Sequence, residues 1–162
     1  MNSCQRLVDK EKDMKIINEM EITFDAISIN EGFARSCIAA FCVQANPTLD
    51  EITDIKTAVS EAVTNSVVHA YPKTTGKITI KVQLTEYSAI ISIMDKGIGI
   101  VNFEKAREPF YTTKPEQERS GMGFTVMESF MNKVELSKNG SSGLKVVMEK
   151  VFEKPIRRVS GE

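Results

Sequence analysis

Glu61 and Asn65 stand four residues apart in Ser60-Glu-Ala-Val-Thr-Asn-Ser66, so on a helix their side chains leave nearly the same side, one turn above the other. A carboxylate there can accept a proton as general base. An amide oxygen one turn on can complete the shell of Mg²⁺, which takes oxygen ligands and keeps its waters. A second group, Asp95-Lys-Gly-Ile-Gly99, directly follows an apolar run. Gly97 and Gly99 remove the side chains that would hold a flat ring or a phosphate away from the backbone, and Asp95 offers an acceptor to an exocyclic amine. The third group, Arg119-Ser-Gly-Met-Gly-Phe124, lies at the mouth of a helical run, where free amides and the helix dipole attract anions. Arg119 and Lys114 carry charge suited to terminal phosphates.

Taken singly, each group has a plainer reading. The spacing E-x-x-x-N describes many solvated helix faces, D-x-G-x-G many tight turns, and a glycine-rich run many helix starts. Two nucleotide motifs are excluded outright: Asn102 stands where the third glycine of a dinucleotide fingerprint belongs, and no G-x-x-x-x-G-K-[ST] occurs.

The elements that must position these groups follow from periodicity. Glu19 to Phe24 alternates, with Met20, Ile22 and Phe24 on one side, and reads as a half-buried strand. Ser28-Ile-Asn-Glu31 has capping-box spacing, and Phe33, Cys37, Ala40 and Phe41 follow at helical intervals, predicting a first helix to about Val43. After Asn46-Pro47, Thr48-Leu-Asp-Glu51 repeats that spacing and opens a longer helix ending near Tyr71-Pro72, with the stripe Ile52, Ile55, Val59, Ala62, Val63 and Ser66. From Lys77 the period becomes two, and with Ser88 to Met94 it predicts a β-hairpin. Residues 96 to 121 show little periodicity and read as a lid. Gly123 to Met131 resumes helical spacing through Phe124, Met127 and Phe130, and strands Val134 to Lys138 and Gly143 to Phe152 flank an Asn139-Gly140 turn.

Strands and helices that do not simply alternate predict an α+β fold: a two-layer α/β sandwich with helices on one face of a mixed, mainly antiparallel sheet. The 162 residues suit one domain. We expect it to span 14–152, after a frayed polar extension at 1–13 and before a solvated tail at 153–162 that carries Arg157-Arg158. With 21 basic against 22 acidic side chains the electrostatic footprint of a nucleic-acid binder is missing. Apolar runs are strand-sized and the first 20 residues are too charged for a secretory signal, which predicts no membrane association and a cytoplasmic location. Cys4, Cys37 and Cys42 lack C-x-x-C spacing and read as reduced, structural thiols.

Together, in this order, Glu61-Ala-Val-Thr-Asn65, Asp95-x-Gly-x-Gly99 and Gly121-x-Gly123 resemble the N box and two G boxes of the GHKL (Bergerat) superfamily of ATP-binding domains. Ser60 to Ser66, Pro109-Phe-Tyr-Thr-Thr-Lys-Pro115 and Glu118 to Phe124 look very like the sporulation anti-sigma F family, over roughly Met14 to Lys150.

The resemblance implies a serine kinase that also binds and silences an RNA polymerase sigma factor, phosphorylating with ATP a serine of an anti-anti-sigma factor. It implies that Glu61 activates the acceptor serine, Asn65 helps hold Mg²⁺ and Asp95 binds adenine. Gly97 and Gly99 would then shape the pocket, and Lys114, Arg119, Ser120, Gly121 and Gly123 would surround the phosphates. It further implies a homodimer, with Glu31 and Arg35 on the first helix as partner contacts, although solvated helix charges explain that pair equally well. Two other readings remain: a related switch kinase for a stress-response sigma factor, and a binding module that keeps its nucleotide only as a structural ligand. One departure concerns the last strand, where the family often has Gly-Thr-Thr with a threonine hydroxyl near adenine. Here the stretch is Gly143-Leu-Lys145. His69, two turns beyond Glu61, is read as structural.

Overall fold

The computed structural model describes residues 14–109 and 122–154. Strand β1 is Ile16–Asp25, helix α1 Asn30–Cys42, helix α2 Leu49–His69, strand β2 Lys77–Thr85 and strand β3 Ser88–Asp95. A five-residue helix α3, Phe103–Arg107, falls within the stretch read as a lid. Helix α4 is Gly123–Phe130, followed by strands β4, Lys133–Lys138, and β5, Leu144–Val151. The sheet order is β1-β2-β3-β5-β4. The sheet expected to be mixed and mainly antiparallel is antiparallel at every pairing among the described residues.

Alternation in β2 sends Ile78, Ile80, Val82 and Leu84 to one face, where all are buried. Registers extend that row across the sheet: Ile80 pairs with Ile22 on one side and Ile93 on the other, and Ile93 pairs with Val146. The helical layer covers this face, with α2 packed between α1 and α4. Ile55, Ala58, Val59, Ala62 and Val63 of α2 are buried in the same core.

The two capping boxes read from sequence fare differently. At α2, the Thr48 hydroxyl accepts from Glu51 N–H at 3.2 Å and the Glu51 carboxylate accepts from Thr48 N–H at 2.7 Å. At α1 the Ser28 box does not form: the residue before the helix is Ile29, and no side chain caps it. Ile29 already has helical dihedrals, φ −63° and ψ −25°, whereas a capping residue must be extended for its side chain to reach back. The turn is instead closed by Asn30 Nδ2 donating to Asp25 O at 2.9 Å. The buried stripe of α1 is also one residue out of phase with the expectation. Ala34, Ile38, Ala39 and Cys42 face the core, while Phe33 and Ala40 are exposed. The helix ends at Cys42 and continues as a 3₁₀ turn, Val43–Ala45. Cys37 and Cys42 are free thiols, and burial pushes that of Cys42 up to about 12. Cys4 lies outside the described residues.

The first turns of α2 also tie down the C-terminal strand. Glu51 Oε1 accepts from Glu153 N–H at 2.7 Å, and Lys150 Nζ donates to Asp54 Oδ2 at 2.7 Å and Phe130 O at 2.8 Å. Glu51 is buried, so Glu51→Ala removes the carboxylate half of the capping box and leaves Thr48 N–H and Glu153 N–H without their acceptor. We expect a loss of about 3 kcal/mol, read as a lower urea midpoint with unchanged slope. A variant as stable as wild type would show that this carboxylate holds nothing essential.

Candidate functional site

Two clusters form on neighbouring faces of α2. On one face stand Glu61, half-buried, and Asn65, 8% exposed. Gly123, the first residue of α4, packs directly against them. A β-carbon there would lie 3.1 Å from Asn65 Nδ2, 3.2 Å from Asn65 Oδ1 and 3.3 Å from Glu61 Oε2. The glycine therefore lets the start of α4, where the Met122 side chain makes no capping hydrogen bond, close directly onto a carboxylate and an amide.

On the other face, alternation in β3 carries Asp95 to the apolar side with Ala89, Ile91 and Ile93. A carboxylate in that position needs donors, and three converge on it. Ser66 Oγ donates to Oδ2 at 2.8 Å, while Gly97 N–H and Leu144 N–H donate to Oδ1 at 3.0 and 3.2 Å. The chain leaving β3 is clamped by its neighbours. Ile98 N–H donates to Ala70 O at 2.9 Å, Asn139 Nδ2 to Asp95 O at 2.8 Å, and Lys96 N–H to the Tyr71 hydroxyl at 2.8 Å. That hydroxyl in turn donates to Lys77 O at 2.7 Å. Gly97 has no room for a side chain, since a β-carbon would fall 2.1 Å from Ala70 O. Gly99, at φ 72°, backs onto Gly143, whose carbonyl would meet a Gly99 β-carbon at 2.9 Å.

The fold thus gathers Glu61, Asn65 and Gly123 in one place and Asp95, Gly97 and Gly99 in another, joined through consecutive residues Asn65 and Ser66 of α2. Lys114, Arg119, Ser120 and Gly121 lie outside the described residues. Glu31 and Arg35 sit one turn apart on α1 and partly exposed. The Ser60 hydroxyl donates to Glu31 Oε1, and Arg35 Nη1 lies 3.4 Å from both that oxygen and Ser60 Oγ. Ser60 immediately precedes Glu61, so this surface pair connects to the residue beside the carboxylate cluster.

Sequence reasoning missed three contributors. Ser66 entered the apolar stripe as a small residue, yet a hydroxyl at a buried phase calls for a partner, which was the available signal. Tyr71 and Asn139 were read only as a helix end and a turn. Their partners are backbone groups of the distant Asp95-Lys96 segment, and nothing local announces them.

Among the described residues no group of three or more His, Cys, Asp or Glu converges to hold a metal ion. A single oxygen ligand such as Asn65 at the start of α4 suits the sparser protein coordination of Mg²⁺, whose remaining positions are taken by water and phosphate oxygens. No described helix is long and apolar enough to cross a membrane.

Known proteins are similar to this chain in sequence and in fold. The family described as histidine kinase-like ATPase domain matches residues 26–150. The anti-sigma F factor of Clostridium beijerinckii is 53% identical over 136 residues, covering 83% of this chain and 95% of that protein. The anti-sigma F factor of Bacillus licheniformis is 49% identical over 138 residues, covering 85% and 94%. Two solved structures have the same fold. The RsbU and RsbW domains of a Mycobacterium tuberculosis protein give a TM-score of 0.61 at 18% identity, over 86% of this chain and 33% of that one. The catalytic domain of the histidine kinase ThkA gives 0.53 at 17%, over 84% and 99%. On the family match and on relatives aligned over nearly their whole length, the chain belongs to the histidine kinase-like ATPase family and, within it, to the anti-sigma F factors.

Proposed function

We propose that this protein is an anti-sigma factor and an ATP-dependent serine kinase, which binds and inhibits a sporulation sigma factor and phosphorylates a serine of an anti-anti-sigma factor. The observation that carries the reading is the packing of Gly123 against Glu61 and Asn65, next along α2 to the Ser66 that bonds the buried Asp95. The relatives' name, anti-sigma F factor, supports the choice of partner.

In this reading residues 14–152 are the ATP-binding unit. Asp95 accepts the exocyclic amine of adenine, and Gly97 and Gly99 let the base lie close to the backbone. Asn65 offers its oxygen to Mg²⁺, and the start of α4 at Gly123, with Lys114, Arg119, Ser120 and Gly121 preceding it, receives the phosphates. Bound Mg-ATP supplies the γ-phosphoryl group and the ion that neutralises its charge. Glu61 takes the proton of the acceptor serine as its oxygen bonds to the γ-phosphorus and the bond to the β–γ bridging oxygen breaks, giving phosphoserine and ADP. A binding module with an inert nucleotide has no use for a carboxylate at that spot, which favours the kinase. The protein acts in the cytoplasm as a homodimer.

Calorimetric titration with ATP in the presence of Mg²⁺ tests the foundation. Absence of binding would remove the kinase reading altogether. Glu31 and Arg35, partly exposed on the first helix, are the proposed partner contacts. Arg35→Glu reverses a charge that partly faces solvent, so we expect sigma-factor affinity to fall about tenfold while ATP affinity is unchanged. A pull-down titration showing wild-type sigma affinity takes Arg35 off the partner surface.

A further inference from the structure

The Asp95 carboxylate is almost fully subscribed. A carboxylate has about four acceptor positions, two on each oxygen. Gly97 N–H and Leu144 N–H occupy Oδ1, and the Ser66 hydroxyl occupies one position on Oδ2. Among the described contacts one acceptor position is left, on Oδ2, and its direction depends on the side chain that shares the atom. The two amides come from backbone and hold Oδ1 whatever side chains their residues carry. Ser66 is the only side chain donating to the carboxylate among the described contacts, and it reaches across from α2 while its neighbour Asn65 faces Gly123.

The departure at Gly143-Leu-Lys145 bears on the same atom. Lys145 pairs with Met94 in the β3–β5 register, on the sheet face opposite that of Asp95, so its ammonium does not replace the hydroxyl missing from this strand. Leu144 contributes its amide alone. Resting on the nucleotide reading above, we propose that Ser66 is a positioning residue for base selection. Its hydroxyl aims the free lone pair of Asp95 Oδ2 so that the pocket accepts a purine carrying a 6-amine and rejects one carrying a 6-oxo group. An amine meets an acceptor there, whereas a carbonyl oxygen would meet the carboxylate with no proton between them.

Calorimetric titration of the full chain with Mg²⁺ and three probes separates this role from a structural one. The probes are ATP, inosine triphosphate with its 6-oxo group, and purine riboside triphosphate, which lacks any 6-substituent. Wild type is expected to bind ATP most tightly. Ser66→Ala is expected to weaken ATP about tenfold and to leave purine riboside triphosphate within about twofold, because only the amine uses the aimed lone pair. The ratio of the two affinities is read on folded protein, so a general loss of stability does not mimic the result. Equal weakening of both probes, or an unchanged ratio, overturns the role of Ser66 while leaving the nucleotide reading intact. A wild type that binds none of the three overturns both.

Discussion

Glu61→Ala is expected to slow phosphoryl transfer to the serine of an anti-anti-sigma protein by about 10³-fold, the loss that follows removal of a positioned general base. The reason is local. Glu61 Oε2 lies against Gly123 at the start of α4, and the amide of Asn65 meets the same glycine one turn along the helix. Removing the carboxylate leaves Asp95 and its three donors untouched on the neighbouring face, so ATP affinity should stay within a few-fold of wild type. Glu61→Gln, which keeps volume and loses the basic oxygen, should fall as far as alanine. Single-turnover assays with radiolabelled ATP measure the step directly. Transfer at the wild-type rate in either variant would show that another group takes the proton.

Gly143→Ala is expected to cost about 4 kcal/mol of stability and most of the ATP affinity. Two effects combine. Gly143 has φ 90°, a region that side chains rarely enter, and a β-carbon there would fall 2.2 Å from Asp95 O and 2.9 Å from Lys96 Cα. Relief requires the end of β3 to move away from β5, which separates Leu144 N–H from Asp95 Oδ1 and turns the carboxylate out of the pocket. Gly140→Ala is the internal control. That residue also has positive φ, at 73°, but nothing lies within 4 Å of its would-be β-carbon. Backbone conformation alone should cost it about 1 kcal/mol. Urea unfolding of both variants separates the contributions. If Gly143→Ala costs no more than Gly140→Ala, close packing of the two glycine turns is not what holds Asp95 in place.

Individual residues show how far the elements and the site were legible. The hairpin of β2 and β3 and the inward phase of Ile78, Ile80, Val82 and Leu84 follow from alternation alone, because a pleated strand turns successive side chains to opposite faces. The Thr48 box was legible because capping joins residues three apart. The Ser28 box was not, since the same spacing is outcompeted when Asn30 bonds to Asp25 and Ile29 enters the helical region. Phe33 shows a related failure. It has the right spacing for the core of α1 yet is exposed, meeting Phe24 edge-on with centroids 6.2 Å apart. The packing angle of α1, set by α2 and the sheet, decides which of two neighbouring stripes is buried.

For the candidate site, residue type and spacing singled out Glu61, Asn65, Asp95 and the glycines, each with a plainer reading by itself, and only their joint order along the chain resembled a set of ATP-binding boxes. The sequence also determined that an acid falls at the apolar phase of β3. What it left open was decided by contacts between residues far apart in the chain. Ser66 meets Asp95 across 29 positions, Leu144 reaches the same carboxylate across 49, and Gly123 closes against Glu61 only because α4 packs on α2. Periodicity and capping are local chemistry, complete within a few residues. The insertion of β5 between β3 and β4, which brings Leu144 and Gly143 to Asp95, depends on which strand edges pair once the helices have covered one face of the sheet, and no local pattern encodes that choice.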